Sequence, residues 1–146
     1  MYFVNTKRLT GAGAKKMMET AIRRAQEAGV AISVVIVDSG GNLVLAERMD
    51  GGRFHTVHSA MTKAVCAASN KRSTGPKGAQ GNVLDTSHAL GLALAAGPER
   101  WTAMEGGCPI VFDSECTGGI GISGGTWDFD AALAVEAVEA IGAKSA

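Results

Sequence analysis

Three histidines, one lysine inside an apolar run and a few charged residues beside paired glycines are where this chain can do chemistry. His55 and His58 stand three apart at the start of a helical segment. That spacing lets both imidazoles face one side and meet a metal, a haem iron or a substrate oxygen. Structural zinc takes four protein ligands and catalytic zinc usually three, so the pair alone predicts no metal centre. His88 is a third ligand-binding candidate, although its place after Asp85-Thr86-Ser87 suits ordinary helix-end hydrogen bonding equally well.

Arg48 and Asp50, beside Gly51-Gly52, are a candidate carboxylate clamp and base, with an internal ion pair fixing the turn as the plain alternative. Lys63 lies within Ala60-Met61-Thr62-Lys63-Ala64-Val65. Burial there would lower its pKa and make it a nucleophile or general base, whereas a snorkelling lysine would do neither. Glu105, ahead of Gly106-Gly107, is a candidate general acid or base, or else a solvated loop carboxylate. Gly106, Gly107, Gly121 and Ser123 are candidate ligand contacts through backbone N–H groups, against a plain reading of close strand packing and tight turns.

The elements that must position these residues follow from periodicity. Met17, Met18, Ala21, Ile22 and Ala25 recur at helical spacing from Gly13 to Ala28, and Gly29 ends that helix. Val30 to Val37, a turn at Asp38-Ser39-Gly40-Gly41-Asn42, and Leu43 to Ala46 predict a hairpin with a buried first strand. Thr56 to Ser69 reads as a second helix, Asn70 to Asn82 as a polar, basic loop, and His88 to Ala96 as a short helix stopped by Gly97-Pro98. Trp101 to Met104 is a candidate strand. Pro109 to Phe112 and Gly119 to Ile122 flank Asp113-Ser114-Glu115 as another hairpin. Asp128 to Ile141 predicts a last amphipathic helix, with Asp130 and Glu136 on its solvent side.

Hairpins rather than βαβ units predict an α/β (α+β) domain with an antiparallel sheet, and 146 residues suit a single domain, 1–146. Fourteen basic against fourteen acidic residues leave no net charge to attract nucleic acid or an anionic membrane. No apolar stretch has the length of a signal peptide or a membrane span, so the expected location is cytoplasmic. Cys66, Cys108 and Cys116 are odd in number without a CxxC pair, which predicts reduced, mostly buried thiols.

Five segments resemble the GlcG/HbpS family, found also as the C-terminal domain of PduO-type corrinoid adenosyltransferases. They are Val37-Asp38-Ser39-Gly40-Gly41-Asn42-Leu43, Arg48-Met49-Asp50-Gly51, Lys63-Ala64, Gly106-Gly107-Cys108-Pro109-Ile110, and Gly119-Ile120-Gly121-Ile122-Ser123-Gly124-Gly125. They keep the family's order across about residues 11 to 142. The resemblance implies a profilin-like sheet flanked by helices, dimers or larger homo-oligomers, and members that bind haem or serve small-molecule catabolism. Phe54, His55 and His58 depart from the apolar or small residues common there.

Two functions follow as expectations. One is a small-ligand-binding protein, with haem or a related tetrapyrrole as the candidate cofactor and His55, His58 or His88 as its ligand; no CxxCH is present for covalent attachment. The other is a cofactor-independent isomerase, lyase or hydrolase acting on a small oxygenated acid or carbonyl compound. It would use Arg48, Asp50, His55 or Lys63. A domain serving only oligomerisation is the plain alternative to both.

Overall fold

A computed structural model describes residues 1–146. The first helix, α1 (Gly11–Ala28), begins where Thr10 Oγ1 accepts the Gly13 N–H at 3.1 Å. It ends at Gly29, whose φ of 69° is open to glycine at no steric cost. Its buried stripe, Ala14, Met17, Met18, Ala21 and Ala25, packs with the last helix, α4 (Trp127–Glu139), on one face of a four-stranded sheet.

The strands β1 (Ser33–Asp38), β2 (Leu43–Arg48), β3 (Gly107–Phe112) and β4 (Glu115–Ser123) lie in the order β2-β1-β4-β3, antiparallel throughout. The expected antiparallel α+β architecture is therefore present. In β1, Val34 and Ile36 face α1 and α4, while Val35 and Val37 face the helix α2 (Thr56–Asn70). Both faces are covered, which is why this strand reads as an unbroken β-branched run.

The seating of α2 explains the glycines. Ala60, Ala64 and Ala68 form a small-residue stripe pressed on β4. A Cβ at Gly119 would strike the Ala64 carbonyl, one at Gly121 the Ala60 carbonyl, and one at Gly107 the Lys63 carbonyl. Only glycine beneath alanine permits that approach.

A third helix, α3 (Thr86–Ala96), buries none of its residues, and Leu90, Leu92 and Leu94 are 59%, 39% and 72% exposed. No helix is long and apolar enough to cross a membrane.

Three expectations are corrected. Trp101 to Met104 forms no strand, since the backbone is irregular there and Trp101 instead buries its ring, leaving 8% exposed. The final sheet portion accordingly holds two strands rather than three. Asp130, placed on the solvent side from the sequence, is 1% exposed. It sits four and eight residues before Ala134 and Val138, on the same buried stripe.

Candidate functional site

Two places gather the candidate residues. One is an open cleft of about 840 Å³ between α2, the β1–β2 turn and the chain just beyond α3. His58, Met61 and Val65 give one wall, Gly40 and Gly41 another, and Arg100 and Trp101 a third. The turn is held by Asp38, whose Oδ1 accepts the N–H groups of Gly40 and Asn42, each at 2.9 Å. Those bonds, the Asn42 one foremost, keep the Asp38 carboxyl below its usual range. His58 also borders a smaller hollow of about 230 Å³, shared with Ala89 and Ala93 of α3 and Trp101. His58 thus borders both hollows, in the first turn of α2.

The other place lies at the opposite end of the sheet and brings Lys63, Glu105 and Gly106 together. Lys63 is 2% exposed, so it does not snorkel. Its Nζ donates to the Ile122 carbonyl at 2.8 Å and lies 3.5 Å from Asp130 Oδ2. Asp130 Oδ1 accepts the Gly125 N–H at 3.0 Å. Burial pushes the Lys63 amine down and the Asp130 carboxyl up, each toward its neutral form, against the opposing pull of their mutual attraction. Glu105 adds a second negative field on the ammonium. Both Glu105 and Gly125 line a cleft of about 600 Å³ that Trp127 and Asp128 complete.

The remaining candidates stand apart from these centres. Arg48 is exposed, and its Nη1 donates to the Gly52 carbonyl at 2.7 Å, so it fixes the turn through the backbone rather than through Asp50. Asp50 is exposed beside it. His55 occupies the N-cap position of α2 with no capping bond from its side chain, and its ring meets Phe54 edge-on, 5.8 Å between ring centroids. His88 pairs with Asp85 at 3.0 Å on the surface, the hydrogen-bonding role weighed for it from the sequence.

Gly107 donates its N–H to Thr74 Oγ1 at 2.8 Å, and Gly121 lies beneath α2. Ser123 faces Ser33 across the sheet, next to the Ile122 carbonyl that holds Lys63. No group of three or more His, Cys, Asp or Glu side chains converges as a metal site. Cys108, buried, has its thiol pushed up to about 12 by desolvation and is no nucleophile.

Sequence reasoning missed Asp130, Met61, Arg100 and Trp101 as site residues. Asp130 was legible in the helical stripe it shares with Leu133, Ala134, Ala137 and Val138. The others belong to a cleft made by elements distant in sequence, for which no local signal exists.

The geometry agrees with comparison to known proteins. The model of the family described as haem-degrading protein HbpS-like matches residues 9–139. A Citrobacter freundii protein of 15.0 kDa from the dhaT-dhaS intergenic region is 30% identical over 90% of both chains. The crystal structure of Klebsiella pneumoniae protein ORFY superposes with a TM-score of 0.82 at 29% identity, covering 97% of each chain. That of the PduOC–haem complex gives 0.81 at 25% identity, covering 95% of this chain and 99% of the other. A match along nearly the whole domain, with the same antiparallel sheet, makes this chain a member of the HbpS-like family.

Proposed function

We propose that the protein binds a planar tetrapyrrole, haem foremost, in the cleft bounded by α2, the β1–β2 turn and the chain just beyond α3, with His58 as the side chain that meets the iron. The observation that carries this reading is the position of His58 on a cleft of about 840 Å³, within the ~300–1,000 Å³ range of small-molecule sites. Met61, Val65 and Trp101 offer apolar wall, and Arg100 offers a guanidinium that suits a carboxylate. Imidazole is a common protein ligand of haem iron. Haem held there supplies iron-centred redox chemistry, while the chain's own residues bind and orient it. His55 and His88, engaged with Phe54 and Asp85 outside this cleft, are bystanders in this reading.

The reading includes a homo-oligomer. α3 carries no Asp, Glu, Lys or Arg and exposes three leucines, which suits burial against a second copy of the chain. A cytoplasmic location fits the three free cysteines.

Haemin titration followed by absorption tests the ligand. A Soret shift that saturates near one haem per chain and is lost in His58→Ala supports the reading. A spectrum identical to free haemin refutes it.

A further inference from the structure

We propose that residues 1–6 form an arm that adds as a fifth strand to the open edge of β2 on a second copy of the chain. The receiving surface lies on the α1 side of the sheet and shares no residue with the His58 cleft.

The two edges of the sheet are finished differently. The β3 edge is protected: Pro109 has no N–H to offer, and Val111 exchanges hydrogen bonds with Lys144 at 2.9 and 2.7 Å. β2 pairs only with β1, and all of its residues but Leu45 are exposed. No proline interrupts it, and its charges, Glu47 and Arg48, sit together at one end. Along its outer edge the N–H and C=O groups of alternate residues stand unpaired, a template for one more strand.

Beside that edge runs a groove of about 580 Å³ between β2 and α1, with Met18, Ile22 and Leu45 as its apolar lining. Its rim mixes Arg23 with Glu19 and Glu47, so it suits an extended segment of neither charge.

Met1-Tyr2-Phe3-Val4-Asn5-Thr6 is such a segment. It carries no charged side chain, and Tyr2, Phe3, Val4 and Thr6 are residues of strands. It makes no hydrogen bond to the rest of its own chain, and Tyr2 and Phe3 are 96% and 90% exposed. Laid along β2, it turns Tyr2 and Val4 to one face of the sheet and Phe3 to the other. One set enters the α1 groove, and the other lies beside Ala46 on the opposite face, the one Val35 shares.

Reach decides which copy receives the arm. Lys7 is held at the β3–β4 turn, where its N–H donates to Glu115 Oε2 at 2.9 Å and its Nζ lies 3.3 Å from Asp113 Oδ2. From β4 to a strand outside β2 is three spacings of about 4.8 Å, roughly 14 Å. At about 3.3 Å per residue the crossing consumes about four of residues 1–6, so Phe3 and Val4 cannot lie along their own β2. A second copy is free of that limit, and two copies exchange arms by symmetry.

The arm is a clasp. Ordering six free residues costs conformational entropy that offsets much of the gain from burying two aromatic rings. It therefore closes between copies that the α3 contact already holds at high effective concentration, and the inference rests on that reading.

Hydrogen exchange of the full chain, read by peptide mass spectrometry beside sedimentation, tests the clasp. Wild type is expected to sediment as an assembly and to protect the amides of residues 1–6 and 43–48. Tyr2→Asp with Phe3→Asp changes two exposed side chains, so the fold and the sedimenting mass should stay while exchange in 43–48 rises about tenfold. Leu90→Glu with Leu94→Glu should free the same amides by separating the copies. A wild-type assembly whose 43–48 exchange is unmoved by the aspartates would overturn the clasp and leave the α3 contact standing. Protection that persists in the separated leucine variant would place the arm on its own chain and overturn the exchange. Wild type sedimenting as one chain would remove the α3 contact and the clasp with it.

Discussion

Replacing Asp130 by Asn removes the only carboxylate within ion-pair distance of Lys63 Nζ while keeping an oxygen for the Gly125 N–H. The amine stays buried against the Ile122 carbonyl and must either hold an uncompensated charge or lose its proton. Proton loss caps the cost. Discharging a lysine from its ordinary value of 10.5 at pH 7 takes about 5 kcal/mol, at about 1.4 kcal/mol per unit. A deficit of about 3–5 kcal/mol is therefore expected, in the range for breaking one side of a buried pair.

The pH dependence carries the sign. In the variant the folded amine is neutral where the unfolded one is charged, so the unfolded state binds more protons. Stability then rises as pH rises toward 10.5, by about 1.4 kcal/mol per unit. Urea denaturation of both proteins at pH 7, 8 and 9 measures this as a midpoint gap that narrows with pH. A gap under about 1 kcal/mol at pH 7, or one constant to pH 9, would refute the reasoning.

Gly121→Ala should cost about 3 kcal/mol or more, because its Cβ would collide with the Ala60 carbonyl of a packed helix; thermal unfolding measures it. Thr10→Ala should cost about 1 kcal/mol through the lost N-cap bond to Gly13, read by chemical denaturation. The depressed Asp38 carboxyl contributes stability above its unfolded value of 3.8 that is lost as pH falls through the lower folded value. Asp38→Ala should therefore unfold with a weaker acid dependence below pH 4 than wild type. Leu90→Glu with Leu94→Glu should lower the sedimenting mass to that of one chain while leaving the circular dichroism of the fold intact.

α1 and the two hairpins are legible because each carries its own boundary chemistry: Thr10 and Gly29, the Asp38–Asn42 turn, and Asp113-Ser114 between β3 and β4; α2 and α4, which have no side-chain cap, are legible from their apolar runs alone. Trp101 to Met104 misled because a buried indole beside apolar residues resembles a strand when its cover comes from α2, some forty residues earlier. Asp130 misled for the opposite reason. A carboxylate suggests the solvent side, yet the helix period puts this one on the inward stripe, and its partner lies on another helix.

Lys63 was legible as a lysine in an apolar run, but not its fate. Burial depended on Ile122 and Asp130 arriving from the far end of the chain. Glycine-rich turns carry two meanings that sequence cannot separate. Gly119 and Gly121 serve helix-on-sheet contact, whereas Gly106, with a φ of 122°, lets the backbone pass close over the buried Lys63–Asp130 pair.

The central functional claim is that His58, rather than His55 or His88, meets the ligand iron. Haemin titration of the three single alanine variants beside wild type tests it most directly. Wild type, His55→Ala and His88→Ala are expected to give the same shifted Soret band, and His58→Ala the band of unbound haemin. A shifted band that survives His58→Ala, or is lost with either of the other two, would contradict the assignment.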